Sequence, residues 1–305
     1  MFSVVIPNFQ RVKELHNAIQ SVLSQDGASC YLSDIVIVDD NSSNIEEIER
    51  VISEFNDSRI KLIKNKFKSN AAKTRNQGAK NSTGEWVCFL DSDDVFLKGK
   101  FLELKKRICS NSDVYYNKAA IYFNSNFEKS VPSRPLIKGE RIGDYLFVSG
   151  EILQTSTLTI RKSFFDNYGF NENYNRHQDY DLILTIEQLE LKLEFVDHVS
   201  TAIYWGSNTR YNVKGETYQY SARWLEENSN RLSKKAIACF YFKFIVMRAA
   251  QSKQKMYSIS KIRLSHITTV GKTNIILYLA ILLTPTFLQE RAYTLFKNLN
   301  RNRKR

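Results

Sequence analysis

The first 125 residues alternate short apolar runs with longer segments of helical periodicity. Val4–Ile6 and Ile35–Val38 are continuous apolar runs, which is the pattern of parallel strands covered on both faces. Between them, five apolar residues at spacings of three and four predict an amphipathic helix: Leu15, Ala18, Ile19, Val22 and Leu23. The alternation continues with a helix over Ile48–Phe55, a strand at Ile60–Ile63, a polar helix over Asn70–Lys80 and a strand at Trp86–Leu90. These repeats predict an α/β fold with a mostly parallel sheet and right-handed crossovers.

Residues 112–220 have a weaker pattern. Short strands are predicted at Leu158–Ile160, Phe195–Val196 and Ala202–Trp205, and a helix is predicted over Gln178–Leu191. We therefore expect this part of the chain to be less regular than the first 125 residues.

Polar side chains follow three predicted strands where each strand ends, at Pro7-Asn8, Asp39-Asp40 and Asp91–Asp94. Ligands of open parallel sheets bind at this edge. The carboxylates of Asp91, Asp93 and Asp94 repel one another unless a cation lies between them. Their oxygens suit Mg²⁺ or Mn²⁺ bridging to a diphosphate. A solvated turn that caps the following helix is the alternative.

Asp179 lies at the start of the predicted helix in the middle of the chain. Leu182, Ile183 and Ile186 follow it at spacings of three, four and seven, so its carboxylate is expected on the inward face, with Asp181 pointing elsewhere. An inward carboxylate near the aspartate cluster could be a general base. An N-terminal helix cap is the alternative role.

Charge divides the chain unevenly. Residues 1–229 carry 28 Lys and Arg against 31 Asp and Glu, whereas residues 230–305 carry 16 against one. The boundary in composition predicts two regions, and the basic one should meet an anionic membrane surface or a nucleic acid. Its longest apolar stretch, which begins with Ile275–Leu283, is too short to span a bilayer of about 30 Å. We expect 230–305 to be a basic, amphipathic helical region that lies at a membrane interface, the alternative being a helical pair packed on the rest of the protein.

Several other classes of protein are disfavoured. The four cysteines are scattered without a C-x-x-C pair, which argues against zinc or disulfides and favours a reducing cytosolic compartment. No G-x-G occurs, so the dinucleotide-binding fingerprint is absent. No signal peptide is visible at the N-terminus.

Five segments of the chain resemble inverting family 2 glycosyltransferases of the GT-A fold, in the order that family has them. They are Ser3–Phe9 with Ser21–Gln25, Val38–Ser43, Asn70–Ala79, Gly84–Asp94 and Gln178–Leu182. The third has the A-x-x-R-N-x-G pattern, the fourth carries D-x-D, and the fifth fits the E-D-x-D-L region around the base. The resemblance covers about residues 1–210, so 1–229 is expected to be a GT-A catalytic domain.

The resemblance implies a role for individual side chains. Nucleotide-sugar binding is implied for Pro7, Asn8, Asp39, Asp40, Arg75, Asp91 and Asp94. Asp93 would be the principal ligand of Mn²⁺ or Mg²⁺, with Asp91 as a second, and Asp179 would be the base. Two departures stand out: Gln178 replaces the family's Glu before the base, and a histidine that often follows the last sheet strand is missing.

The resemblance implies transfer of a sugar from a nucleotide-sugar, expected to be a UDP-sugar, to a hydroxyl group of a polysaccharide or lipid-linked oligosaccharide. One base opposite the leaving group gives single displacement with inversion. The enzyme is expected to be cytoplasmic, attached peripherally to the inner face of the cell membrane, and to need no nucleic acid. Two alternatives remain open: a nucleic-acid-binding protein that uses the basic region, and a nucleotide-sugar pyrophosphorylase, which usually begins with a Gly-rich basic loop.

Overall fold

The computed structural model describes residues 1–108, 111–123, 125–205, 217–251, 254–262 and 268–284. The strands are β1 (Phe2–Asn8), β2 (Leu32–Asp39), β3 (Ile60–Lys64), β4 (Trp86–Phe89), β5 (Val95–Phe96), β6 (Val114–Phe123), β7 (Asn126–Val131), β8 (Leu158–Arg161) and β9 (Leu193–Trp205). The α-helices are α1 (Lys13–Leu23), α2 (Ala28–Tyr31), α3 (Ile45–Glu54), α4 (Ala71–Asn81), α5 (Lys100–Arg107), α6 (Phe164–Asn167), α7 (Gln178–Gln188), α8 (Tyr218–Asn228), α9 (Lys234–Phe240), α10 (Met247–Gln251), α11 (Lys255–Lys261) and α12 (Lys272–Leu283). Two π-helical segments cover Asp144–Val148 and Tyr241–Val246, and two 3₁₀ turns cover Thr155–Thr157 and Ser229–Arg231.

The strands form one mixed sheet in the order β3-β2-β1-β4-β8-β6-β9-β5, with β7 paired to β6. As predicted, β1 pairs in parallel with β2 and β4, and β2 pairs in parallel with β3. Their apolar runs are buried under α1 and α3, which supply Leu15, Ile19 and Ile48 to the core. Helix α4 lies close to β1 because residue 78 is glycine: a Cβ there would come within 2.4 Å of Val5.

The second half of the sheet departs from the sequence prediction. Strand β6 was not predicted, yet it lies inside the sheet, antiparallel to β8 and parallel to β9. Its apolar run is interrupted at Asn117, which is only 1% exposed and donates from Nδ2 to Thr201 Oγ1 at 3.1 Å. Phe195–Val196 and Ala202–Trp205 are strand as predicted, but both belong to one continuous strand of 13 residues, β9. Helix α7 ends three residues earlier than predicted, with Leu189 as its C-cap.

The described residues fall into two compact units. The first contains residues 1–138 and 151–205, and the second contains residues 139–150 and those from 217 onward. In the second unit, the rings of Phe147, Trp224, Phe240 and Phe244 pack together with centroids 4.6–6.4 Å apart. The predicted boundary at 229/230 separates a catalytic region from a basic one by charge and function, not by compactness. It stays a prediction. No helix of the described part of the chain is long and apolar enough to cross a membrane.

Candidate active site

The carboxyl ends of β1 and β2 bring together Pro7, Asn8, Asp39 and Asp40. Pro7 is in register with Val38, and Asn8 with Asp39. The Asp39 carboxylate is almost fully buried and accepts from Asn8 Nδ2 at 3.2 Å and from the Ser42 hydroxyl and backbone N–H at 2.6 and 2.8 Å. Asn8 Oδ1 is a buried acceptor for which the described residues supply no donor. This edge therefore combines a fixed carboxylate with an unused buried acceptor.

Asp40 connects this edge to the loop after β3. Its Oδ1 accepts from the Ser69 hydroxyl at 2.6 Å, from the Ser69 N–H at 2.8 Å and from Asn65 Nδ2 at 3.1 Å. The neighbouring Lys68 amine lies 3.3 Å from the centroid of the Phe9 ring. Asp40 therefore fixes the loop that precedes α4.

The segment after β4 forms a tight turn. As a result, Asp91, Asp93 and Asp94 lie in different surroundings. The N–H of Asp94 donates to the carbonyl of Asp91 at 2.9 Å, which closes the turn. Asp91 and Asp93 are partly exposed, whereas Asp94 is buried. Asp93 forms an ion pair with Arg11 at 2.7 Å, and Arg11 also donates to Ser92 Oγ at 3.3 Å.

Ser156 orients two of these aspartates through one hydroxyl group. Its Oγ accepts from the N–H of Asp91 at 3.0 Å and donates to Asp94 Oδ2 at 2.6 Å. Burial raises the pKa of Asp94 well above its usual range, and the negative charges of Asp91 and Asp93 raise it further. The hydrogen bond from Ser156 lowers the same pKa and so stabilises the ionised form.

A buried chain of hydrogen bonds leads from the interior to Ser156. The Lys100 amine, 1% exposed, donates to Asn117 Oδ1, and Asn117 in turn donates to Thr201. The Thr201 hydroxyl donates to the carbonyl of Ser156 at 3.2 Å. The site is thus fixed from behind by polar side chains of α5, β6 and β9.

Arg75 of α4 joins the aspartate turn to the start of α7. It is 7% exposed; its Nη2 lies 2.5 Å from Asp91 Oδ1 and its Nη1 donates to Gln178 Oε1 at 2.9 Å. The Gln178 amide donates to the carbonyl of Tyr174 at 2.6 Å. Gln178 therefore keeps the acceptor that a glutamate would offer Arg75, although it lacks the charge.

Asp179 is the residue that follows. Its surroundings desolvate the carboxyl group, which raises its pKa; the N–H of Tyr180, 3.0 Å from Oδ1, and the charge of Arg75 act in the opposite direction. The N-cap position of α7 is His177, whose side chain makes no capping hydrogen bond, whereas Asp179 accepts from the Tyr180 N–H in the first turn. A capping role for Asp179 therefore stays open beside the proposed role as base. The expectation that Asp181 points away from the interior was wrong: it is 4% exposed, because α7 is buried on nearly every side.

The side chains present fit a divalent cation, although they do not form a complete cage. In the part of the chain that the structure describes, no three His, Cys, Asp or Glu side chains converge as a ready metal site. Asp93 and Asp91 offer hard oxygen ligands, and their negative charges add to the effect of burial in raising the pKa of Asp94. Mg²⁺ in particular is commonly bound by one or two carboxylates together with phosphate oxygens and water.

The structure places every candidate residue in the first unit: Pro7, Asn8, Asp39, Asp40 and the aspartate turn at strand ends, Arg75 on α4 and Asp179 on α7. Two contributors were missed: Arg11, which pairs with Asp93, and Ser156, which pairs with Asp91 and Asp94. Ser156 lies 62 residues beyond Asp94, and no local pattern links the two. Arg11 could have been found from the sequence, because it lies three residues after the strand end at Pro7-Asn8. The segment 206–208, where a family histidine was sought, lies outside the described residues.

The family model described as "Glycosyl transferase family 2" matches residues 3–169, which is more than half of the chain. The chain belongs to this family. It is a glycosyltransferase with the GT-A fold. The match includes all the aspartates of the turn, Arg75 and Ser156, but ends before Asp179.

Curated relatives and solved structures agree with this assignment. The chain is 30% identical to the amylovoran biosynthesis glycosyltransferase AmsB of Erwinia amylovora, over 77% of this chain and 80% of that protein. It is 30% identical to the Escherichia coli UDP-Glc:alpha-D-GlcNAc-diphosphoundecaprenol beta-1,3-glucosyltransferase WfgD, over 41% of this chain and 48% of that one. The crystal structure of Staphylococcus aureus TarS 1-349 in complex with UDP-GlcNAc is similar with a TM-score of 0.59 and 17% identity, over 99% of this chain and 91% of that one. At that identity, the likeness bears on the fold alone.

Proposed function

We propose that this enzyme transfers a sugar from a UDP-sugar to a hydroxyl group of a bacterial polysaccharide or of a lipid-linked oligosaccharide, with inversion at the anomeric carbon. The observation that carries the proposal is the Arg75 bridge between Asp91 and Gln178, because it joins the aspartate turn to the helix of Asp179. The names of the relatives AmsB and WfgD support an acceptor of this class, and the name of WfgD supports a UDP-sugar donor.

The nucleoside end of the donor would bind along β1 and β2. Pro7, Asn8, Asp39 and Asp40 border this position, and the unused acceptor Asn8 Oδ1 suits a donor group of the ligand. Arg75 would stand on the side of the diphosphate, with Asp91 and Asp94 facing the ribose or the sugar.

Asp179 would take the proton from the attacking hydroxyl group. The desolvation that raises its pKa makes its carboxylate a stronger base than an exposed aspartate. Arg75 limits this rise and so favours an ionised base at neutral pH. Asp93 and Asp91 would hold Mn²⁺ or Mg²⁺, which as a Lewis acid offsets the charge that develops on the leaving diphosphate.

The basic region 230–305 would hold the enzyme at the inner face of the cell membrane. Its 16 basic residues against one acid suit an anionic surface, where each basic side chain contributes about 1 kcal/mol. A peripheral position would give the enzyme access to a lipid-linked acceptor. We expect binding to vesicles to fall as salt rises, because charges at a surface are screened.

The test is a panel of UDP-sugars offered with undecaprenyl-diphosphate-linked acceptors, with NMR of the product to read the anomeric configuration. Asp179→Asn should lower turnover about 10²-fold or more while UDP binding persists, because the amide cannot accept the proton. Asp181→Asn is the matched control: it is buried on the same helix, and its turnover per folded molecule should stay near wild type. Retention of configuration, or full turnover by Asp179→Asn, would reject the mechanism.

A further inference from the structure

Helices α11 and α12 of the second unit leave apolar side chains on their outer faces. On α12, Ile276, Leu279 and Leu283 are 57%, 50% and 84% exposed and recur at spacings of three and four, so they form one stripe. On α11, Met256 and Ile259 are 79% and 47% exposed, three residues apart. We call these five side chains the apolar face.

The two stripes point away from the same neighbouring segment. On α11, the Ser258 hydroxyl donates to the carbonyl of Val246 at 2.8 Å and lies 3.0 Å from the hydroxyl of Tyr278. On α12, the ring of Tyr278 packs against Phe242 at 5.5 Å. Both helices therefore turn their buried sides toward the segment Tyr241–Val246. The apolar face lies on the opposite side of each helix.

The pair of helices is fixed rather than loosely attached. The Lys255 amine donates to the carbonyls of Leu282 and Thr284 at 2.8 and 2.5 Å, which caps the last turn of α12 with a cation. With its 12 residues, α12 is about 18 Å long, well short of a bilayer's hydrocarbon core of about 30 Å. A helix of this length can lie in the interface but cannot span it.

We infer that the apolar face enters the headgroup boundary of an anionic phospholipid bilayer and is the part of 230–305 that anchors the enzyme. This inference rests on the proposed attachment of the enzyme to the membrane. It adds which residues form the attachment. Between Glu227 and Glu290 the sequence has no acidic residue, while it has ten basic ones, including Lys261 and Lys272 on the same two helices. The positive charge around the apolar face complements anionic lipid. A second copy of the chain would bring the same positive charge, and so fits this face poorly.

The experiment compares vesicle flotation of the full chain and of Ile276→Gln/Leu279→Gln/Leu283→Gln. Vesicles of phosphatidylglycerol and phosphatidylcholine serve as the probe. We expect the triple variant to lose at least tenfold in partition, because three side chains no longer gain from burial in lipid. Residual binding of the variant should vanish in 0.5 M salt, whereas wild type should keep a salt-resistant part.

The matched control is Ile137→Gln, which changes one equally exposed apolar side chain of the first unit and should float like wild type. Met256→Gln/Ile259→Gln provides a second, independent variant on α11 and should also lose partition. Unchanged flotation of both face variants would overturn the inference. So would a wild-type dimer in ultracentrifugation that the triple variant converts to a monomer, since the face would then bind a second copy.

UDP binding and transfer to a water-soluble acceptor should be unchanged in the triple variant. This separates the anchor from the proposed function, because a wrong donor or mechanism would show as failed transfer by wild type itself. Loss of transfer to the soluble acceptor by the triple variant alone would count against a purely anchoring role.

Discussion

The ion pair between Arg11 and Asp93 would affect how tightly the proposed metal site binds its cation. Their ion pair is about one third exposed on each side, so it contributes only about 0–1 kcal/mol. A metal ion that binds Asp93 has to displace this guanidinium. If Asp93 binds the ion as proposed, Arg11 would therefore lower the affinity of the free enzyme for it.

Arg11→Gln should bind Mn²⁺ about two- to fivefold more tightly than wild type in the absence of nucleotide, since the competing cation is gone. Titration followed by EPR of free Mn²⁺ measures this directly. Lys64→Gln, which removes an exposed ion pair with Glu49 at 2.7 Å, should leave the affinity unchanged. Asp93→Asn should weaken binding; unchanged or weaker binding by Arg11→Gln would contradict the displacement argument.

Among the elements, α4 does more than cover the sheet. Asn76 donates from Nδ2 to the carbonyl of Phe170 at 2.8 Å and to Glu172 at 3.0 Å, and its Oδ1 accepts from the N–H of Phe170 at 2.8 Å. These bonds hold the loop that leads into α7. The position of Asp179 therefore depends on a helix about 100 residues earlier in the chain.

Asn76→Ala should lower the melting temperature by several degrees. It should also lower kcat, with a smaller effect on the KM for the donor. Two buried backbone groups of Phe170 lose their partner, at about 1–3 kcal/mol each, and the loop before Asp179 loosens. Asn81→Ala on the same helix removes only an exposed local bond to the carbonyl of Gln77 and should change the melting temperature by less than 1 °C. Equal effects of the two substitutions would show that Asn76 has no special positioning role.

The elements also show what the sequence could and could not predict. Continuous apolar runs marked β1, β2 and β4, because strands covered on both faces need no polar side chains. The same rule failed at β6, where buried Asn117 takes part in the hydrogen-bond chain to Ser156. The aspartates followed from position at strand ends, whereas Arg11 and Ser156 depend on contacts over 82 and 62 residues of sequence. Periodicity also failed for Asp181, because it assumes that a helix has one buried face.

At the scale of the whole molecule, a buried lysine makes stability depend on pH. Burial lowers the pKa of Lys100 from its usual 10.5 to about 8. Between about pH 8 and 10.5, the unfolded chain keeps this proton and the folded chain has lost it. The unfolded state then binds more protons, so this group's contribution to the free energy of unfolding rises with pH through that window.

In urea denaturation, wild type should therefore gain stability relative to Lys100→Met on going from pH 8 to pH 10. Lys64→Met, which removes an exposed lysine, should keep the wild-type dependence on pH. A stability difference between wild type and Lys100→Met that is constant or falls with pH would show that Lys100 titrates normally in the folded protein.

The hydrogen-bond chain that starts at Lys100 has a consequence for engineering. Asn117 and Thr201 belong to no motif, yet Thr201 donates to the carbonyl of Ser156 and Asn117 donates to Thr201, and Ser156 orients Asp91 and Asp94. Libraries built only from pocket-lining positions would miss them. A saturation library that retunes donor preference should include these two interior positions, where small changes of shape would shift the aspartate turn without altering any group that faces the sugar.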